Sequence, residues 1–579
     1  FAIAPPQGLG KDTVAIKTDG ATEYFKIEDK LLFRSLEGMT RDGMFLQQAL
    51  NTPVVGPAWV KRLFTRAITL SPEFAARNFV RDSMSSWAQT SERGYNLPKD
   101  MMQAGAEAVR LLRSDDQRMR SIMASGADTG WYQNAPEDVS QQLRKLQRNG
   151  TVGVLDLGNP RRWLDLLNRL GRATEMANRA TIYEQVLGQT GSERAAAFEA
   201  MDIMDFQLRG GSPAMQTLIQ VVPFLNARVQ GLYRLGRAAS NEKTRSNFMV
   251  KGGILATAAT ALAVWNATDD EEDGYNDLPE WLKDTYYVIP LYRALPDDIR
   301  ESAGLPKFLT IPKPFEVGVL FGTIPERMVQ AVAGNDRSED TGDAAWRAIV
   351  DTFAFDPFSN PLVSVPLEQG LNRNRFLDRP IVPRSEEGLA PELQYDPRFT
   401  SETMREVGQA TGMSPRRLEH VYEGFFGTMG SYALAAADSA YRMAADAPPT
   451  PEKRLDDMMF LRSFAVQEPV SSTKWAERFW ELKTEADQLH RSINDARKRG
   501  QGAVLKDLRR EGADLLRFRD RLNGIADQLG ELRKREQRIY TSESLSPAQK
   551  RERLDHITAR KNDLYRRVRP VEEQLEAQR

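Results

Sequence analysis

Apolar residues recur three and four positions apart along most of this chain, the period of helices with one buried face. Trp59, Leu63, Ala67 and Ile68 begin the pattern, and Phe74, Phe79 and Val80 continue it after Ser71-Pro72-Glu73, where a serine cap and a first-turn proline start a new helix. Further helices are expected over 98–125, 136–148 and 161–209. Another runs from Met215 to Ala239 with a kink at Pro223, and a further helical region covers 401–446, with Ser414-Pro415 as a helix start. One short run has the other period. Residues 13–17 and 23–27 alternate apolar and polar around Thr18-Asp19-Gly20, which predicts a β-hairpin.

The last third has the most regular pattern. Trp475, Phe479, Leu482, Ala486, Leu489 and Ile493 form one seam, Leu515, Phe518, Leu522, Ile525 and Leu529 a second, and Leu554, Ile557, Leu564, Val568 and Val571 a third. Breaks fall at Gly500–Gly502 and Thr541–Ser546, and Ser546-Pro547-Ala548-Gln549 reads as a capping box. Three long helices follow from this, folded on one another or assembled with other copies. Proline-rich stretches at 274–320 and 355–398 interrupt the helical pattern and are expected to wrap or link other elements. The expected fold class is therefore mainly α: a multi-helix bundle with a small N-terminal β-hairpin and a C-terminal coiled-coil or helical-hairpin region. Its divisions are 1–30 with the hairpin, 31–446 as helical core, 447–471 as a linker marked by Ala447-Pro448-Pro449-Thr450-Pro451, and 472–579 as coiled-coil helices.

One segment departs from the charged helices around it. From Phe248 to Thr268 the chain reads FMVKGGILATAATALAVWNAT, and the 17 residues after Lys251 carry no charge. Those residues would reach roughly 26 Å as a helix, slightly short of a bilayer's hydrocarbon core. Small residues stand four apart at Gly252, Ala256 and Thr260 and at Gly253, Thr257 and Ala261, a spacing that lets backbones approach closely. Lys243, Arg245 and Lys251 precede the segment and five acids, Asp269 to Asp273, follow it, so a spanning helix would keep its N-terminal side cytoplasmic. The competing reading is a buried core helix.

Composition narrows the chemistry. With 579 residues, 41% hydrophobic, 27% charged and net charge −1, the chain is large enough for several cores and has no global attraction to nucleic acid. The seams of 472–579 carry a mild basic excess, with Arg497, Lys498, Arg499, Arg509, Arg510, Arg517, Arg519 and Arg521 as the basis for a nucleic-acid reading. Cysteine is absent and the three histidines, His420, His490 and His556, lie far apart, so neither a disulfide framework nor a metal-ligand spacing appears. Phosphate-binding glycine loops, the GxSxG elbow and EF-hand spacing are also missing. The acid pairs Glu271-Glu272 and Glu386-Glu387 read as solvated loops, and Glu301-Ser302 lacks the surrounding motifs of a peptidoglycan-cleaving transglycosylase. No catalytic, cofactor-binding or metal residue is named, and no enzyme activity is expected.

Four phrases carry a resemblance: Ser71-Pro72-Glu73-Phe74-Ala75-Ala76-Arg77-Asn78-Phe79-Val80-Arg81-Asp82, Val222-Pro223-Phe224-Leu225-Asn226-Ala227-Arg228-Val229-Gln230-Gly231, Ile311-Pro312-Lys313-Pro314-Phe315-Glu316 and Arg379-Pro380-Ile381-Val382-Pro383. Together they resemble the large polyvalent-protein-associated domains of bacteriophages and the C-terminal parts of internal virion (ejection) proteins of short-tailed phages. The resemblance implies a structural virion protein packaged in the capsid, ejected with the genome and helping to form a DNA conduit across the host envelope. The apolar seams of 472–579 add the expectation of a homo-oligomer, and the resemblance implies other internal virion or portal proteins as partners, phage DNA passing nearby, and contact with the host inner membrane through 248–268. The alternative is a nucleic-acid-binding or scaffolding module of a larger phage polyprotein whose transglycosylase or virion RNA polymerase lies elsewhere. Phe1 as first residue suits a processed product or part of a longer chain. Arg81, Asp82, Asn226, Arg228 and Gln230 are expected in buried hydrogen-bond networks.

Overall fold

The computed structural model describes residues 13–18, 21–26, 50–52, 55–91, 93–113, 122, 160–203, 212–269, 274–333, 358–375, 379–396, 399–445, 447–458, 461–470 and 473–576. The chain is mainly α-helical with small antiparallel sheets. It divides into two compact units. The first takes 1–245, 353–395 and 400–438, and the second takes 246–352, 396–399 and 439–579.

In the first unit the alternating run forms its hairpin, with β1 (Thr13–Thr18) antiparallel to β2 (Ala21–Lys26) and Val14 opposite Phe25. α1 (Pro57–Thr69) and α2 (Pro72–Gln89) are separated by Ser71, whose Oγ accepts from Phe74 N at 3.2 Å while Pro72 opens the helix. α3 (Leu97–Arg113), α4 (Pro160–Thr190) and α5 (Glu193–Asp202) then enclose a core of Leu111, Met176, Ile182, Tyr183, Val186 and Ala196. The helix expected over 98–125 is seen as far as Arg113, and the one over 136–148 lies outside the described residues. The kink at Pro223 separates α6 (Pro213–Val221) from α7 (Leu225–Ser240), with Phe224 in the left-handed region at φ 59°. α8 (Glu242–Ala267) contains the uncharged segment, and from Ser246 on it belongs to the second unit.

The proline-rich stretch after α8 is more regular than its composition suggested. α9 (Glu280–Thr285), β3 (Tyr286–Pro290), α10 (Leu291–Ala294), α11 (Asp297–Ser302), β4 (Phe308–Pro312), α12 (Phe315–Gly318), a π-turn over Val319–Thr323 and α13 (Ile324–Val332) follow in order. β3 and β4 pair antiparallel, Tyr286 opposite Pro312 and Pro290 opposite Phe308. Proline costs a sheet its N–H donor, and here both prolines sit at strand ends, where the ladder stops. The sheet escaped the sequence reading because prolines so close together mask a strand's alternation.

The first unit resumes with α14 (Pro361–Leu371), β5 (Arg373–Asn374) against β6 (Arg379–Pro380), α15 (Arg384–Glu387), α16 (Glu402–Thr411) and α17 (Pro415–Ala444). α17 is broken at Gly427, whose φ of 51° and ψ of −150° belong to a region nearly confined to glycine. A Cβ there would also lie 2.8 Å from Ile68 Cγ1.

The division at 447–471 needs correction. Instead of a free linker, this stretch carries β7 (Ala465–Val466), the third strand beside β4, and Thr310 N donates to Phe464 O at 3.0 Å. Lys307 Nζ is buried 3.3 Å from Glu468, and Val470 joins Tyr275, Leu282 and Phe308 in one core. The proline-dense run 447–451 leads through a 3-10 turn at Leu455–Asp457 toward β7.

α18 (Lys474–Lys498), α19 (Gly502–Glu511), α20 (Ala513–Tyr540), α21 (Pro547–Arg566) and α22 (Arg569–Glu576) complete the chain. The breaks fall as the sequence predicts, and Ser546 and Gln549 form the capping box. The seams meet within one chain: Phe479, Leu482, Leu522, Ile525, Leu564 and Val568 share a core, with Trp475 and Phe518 packed against it. The seams therefore supply no argument for self-association, which was the basis of the oligomer expectation. Trp475 Nε1 donates to Asp277 at 2.6 Å and Arg566 lies 3.1 Å from the same carboxylate, so the hairpin is built into the second unit. Ending the chain after Pro451 is accordingly expected to unfold the sheet of that unit. Limited proteolysis should cut between 274 and 332 in the truncated chain and spare it in the full one, and equal protection would overturn the expectation.

Candidate functional site

α8 is the segment the sequence singled out, and the structure divides it lengthwise. Phe248, Lys251, Gly252, Leu255, Ala259, Ala263 and Asn266 are buried, three or four residues apart, and form the packed face. Gly252 is required there, because a Cβ would lie 2.4 Å from Phe321 Cζ, and Phe321 also meets Phe248 edge-on with ring centroids 5.4 Å apart. The lower end is tied to the sheet: Asn266 Nδ2 donates to Val288 O at 3.0 Å, and Asp269 accepts from Tyr275 N at 2.6 Å and from the Tyr292 hydroxyl.

The opposite face has no such cover. Met249, Val250, Ile254 and Val264 are 56%, 49%, 41% and 51% exposed, with Gly253, Thr257, Ala258 and Ala261 between them. The helix is long and apolar enough to cross a membrane, and only 33% of its most apolar 18-residue window is buried. Of the two small-residue rows, Gly252 receives an aromatic ring and Gly253, Thr257 and Ala261 face outward. Ala258, near the middle of the uncharged segment, lies on the outward face, so its replacement should leave the fold intact.

Beside α8 the second unit buries a network of charges. Lys313, placed by the Ile311–Glu316 phrase at the end of β4, is 4% exposed; its Nζ donates to Lys283 O at 2.7 Å, to Thr323 Oγ1 at 3.3 Å and to Glu326. Arg327 forms a two-pronged pair with Asp284 at 2.9 and 2.8 Å and reaches Glu280 at 2.6 Å. Gln330 joins Arg327 to the hydroxyl of Tyr275 at 3.3 and 3.0 Å. Burial raises the Glu326 carboxyl against the pull of Lys313. Burial would raise Glu280 too, but Lys283 and Arg327 outweigh it and hold that carboxyl at about 2. The cations and carboxylates engage one another, which ties α9, β4 and α13 together, with Lys313, Glu326 and Arg327 buried and Glu280 at the solvent edge. Sequence reading missed this network, because its members are scattered from Glu280 to Gln330 and only Lys313 stood in a recognised phrase.

The first unit has its own polar cluster, where part of the expected network is found. Asn78 Nδ2 donates to Asp82 at 2.7 Å, and Gln230 Nε2 to Asn226 Oδ1 at 3.3 Å. Arg93, which the sequence did not single out, is almost fully buried and donates to Ser86 Oγ at 3.0 Å and to Asn178 at 3.3 Å. Arg234 reaches Ile203 O at 2.6 Å and Thr90 Oγ1 at 3.2 Å. Burial first, and Glu175 second, push Asp82 up to about 7, while Arg179, Arg234 and Arg81 oppose the rise. A carboxyl raised in the folded state stabilises it below the unfolded pKa, near 3.8, and loses that contribution as pH rises through about 7. Asp82→Asn should therefore gain stability relative to the parent between pH 5 and 8, by about 1.4 kcal/mol for each tenfold difference in proton affinity that the substitution abolishes. Hydrogen-exchange protection of α2 at the two pH values checks this, and parallel profiles would refute it.

The other residues considered for chemistry lie apart from one another. Glu301 and Ser302 end α11, where Ser302 Oγ donates to Ile299 O. Glu271 and Glu272 lie outside the described residues. Glu386 corrects the solvated-loop reading of its pair: it is 7% exposed and held by Arg416 at 2.6 and 2.8 Å, while Glu387 accepts from Asn372. His420 lies 2.8 Å from Glu368 and 3.0 Å from Gln369 Nε2, an arrangement that the neutral Nε2–H tautomer satisfies at both nitrogens. His490 and His556 sit on α18 and α21. Among the described residues no group of three metal-ligating side chains comes together.

The phrases behind the resemblance turn out to be structural signals. Residues 71–82 cap and open α2, 222–231 turn the chain into α7, 311–316 deliver Lys313, and 379–383 form β6 and the turn where Val382 N donates to Asn372 Oδ1. Residues 272–461 match the family described as large polyvalent protein associated domain 38, which supports a phage-associated polyvalent protein. No curated protein and no solved structure gives a significant match. The matched residues end just before β7, so the third strand of the sheet comes from outside them.

Proposed function

We propose that this chain is a structural component of a phage particle, carried inside the capsid and delivered with the genome, and that the outer face of α8 meets the host inner membrane after delivery. The observation that supports this reading is the exposed, uncharged face from Met249 to Val264, set on a helix whose other face is fastened to the fold. An apolar surface in water favours burial, and about 1.5 to 3 kcal/mol is available for each large side chain taken fully out of solvent. Lys251 and Asn266 stand on the packed face, so the folded unit suits a helix lying against lipid, and full insertion would require α8 to leave Phe321 and Val288. The match over 272–461 gives the phage setting.

The experiment is quantitative mass spectrometry of purified particles from the phage that encodes the chain, with lysed infected cells as the comparison. The chain should be present in particles at a fixed number of copies. Its presence in infected cells and absence from particles would defeat the virion role.

A further inference from the structure

The end of the helical hairpin where α18 turns into α19 carries Arg497, Lys498, Arg499, Lys506, Arg509 and Arg510 against the single acid Asp507 in residues 497–510, and all six cations are exposed. Several cations elsewhere in the second unit have acidic partners: Arg478 lies 2.7 Å from Glu572, Arg454 3.1 Å from Asp555 and Arg327 2.8 Å from Asp284, and Lys483 pairs with Asp487. The six at the turn form no ion pair or side-chain hydrogen bond among the described residues. Gly500, at φ 67°, reverses the chain. Gly512 lies so close to Leu489 that a Cβ would sit 2.1 Å from its Cδ2, so α19 runs back along the last turns of α18 and gathers the cations into a basic strip at this end of the hairpin, with the exposed acid Asp495 at its edge. Ten helical residues make that strip roughly 15 Å long. Lys506 and Arg510 stand four apart on one helix, a like-charge spacing that costs stability when nothing anionic is near.

We propose that this strip binds the phosphate backbone of double-stranded nucleic acid without reading its sequence. Its length covers about four phosphates of one groove edge, since each strand of a duplex carries a charge about every 3.4 Å of axis. An anionic lipid surface fits less well, because a surface-binding helix needs a large apolar face beside its cations, and Val504 is the one large apolar side chain exposed on α19. Single strands fit less well because residues 497–510 include no aromatic side chain on which bases could stack. The inference rests on charge placement alone and stands or falls independently of the membrane reading.

The test uses the full chain and a fluorescent duplex of about 20 base pairs of arbitrary sequence, followed by anisotropy as salt rises from about 50 to about 200 mM. With about four phosphates contacted, affinity should fall roughly a hundredfold over that range. Arg497→Gln combined with Lys498→Gln and Arg499→Gln should weaken binding at least tenfold at the lower salt and flatten the salt dependence. Arg509→Gln with Arg510→Gln should act in the same direction. A control carrying Lys99→Ala and Arg194→Ala, exposed cations of the first unit, should bind like the parent. Unchanged circular-dichroism melts verify that the variants fold. The proposal is overturned if both strip variants bind the duplex as the parent does, or if the parent binds phosphatidylglycerol vesicles through the same residues and ignores the duplex.

Discussion

Lys313→Met is expected to destabilise the second unit by about 3 to 5 kcal/mol at neutral pH, the usual penalty for leaving one partner of a buried ion pair uncompensated. Methionine fills much the same space, so the loss comes mainly from charge. Glu326 would keep its burial and lose its cation, while Lys283 O and Thr323 Oγ1 would lose a donor. The variant should also respond to pH in a definite direction. Burial already raises the Glu326 carboxyl in the parent, and without Lys313 the rise must be larger. A raised carboxyl favours the folded state below its unfolded pKa, and that contribution disappears as pH rises through the folded value. The deficit should therefore be smallest in mild acid and grow toward neutrality. Thermal or urea unfolding of both proteins across pH checks this, and the companion Lys313→Met, Glu326→Gln should recover part of the loss. A Lys313→Met protein as stable as the parent at neutral pH would show that the network is not what holds α9, β4 and α13 together.

Ala258→Arg should separate the packing of α8 in the fold from its proposed contact with lipid. In the folded chain Ala258 faces outward, so the arginine meets water and the unfolding free energy should stay within about 0.5 kcal/mol of the parent. If α8 leaves Phe321 and Val288 and inserts, the same residue stands near the middle of the uncharged run, where a charge costs about 2.5 to 3.5 kcal/mol on insertion scales. Membrane partition should then fall roughly a hundredfold. Flotation with liposomes of inner-membrane composition measures that partition, and genome delivery by phage carrying the variant measures its consequence. If the variant floats and delivers like the parent, the outer face of α8 has no lipid role and the membrane half of the proposed function is lost.

Local signals were legible where the physics is local. Ser71 and Ser546 each accept from a backbone N–H three residues on, and Pro223 breaks a helix through its own missing donor, so their effects could be read from neighbouring residues alone. The seam from Trp475 to Ile493 needed only the helical period to show which face is apolar. The pairing of β4 with β7 was invisible for the opposite reason. Thr310 donates to Ser463 O across 153 positions of sequence, and two short strands flanked by proline carry too little alternation to announce a partner so distant. Likewise, the acid pair Glu386-Glu387 resembles many exposed loops until Arg416, 30 residues on, is brought against one of its members.

The sequence by itself determined that the chain is helical, where several of its described helices begin, that the last third is interrupted near Gly500 and Thr541, and that one helix lacks charge over 17 residues, since each follows from side-chain periodicity, caps and breakers within a few turns. Only the tertiary structure decided which face of α8 is covered, that the seams close within one chain, and which charges are buried with partners and which stand alone. These depend on residues brought together by chain closure, and whether a lysine such as Lys313 is enclosed or one such as Lys506 is exposed is a property of its surroundings, which its neighbours in sequence do not specify.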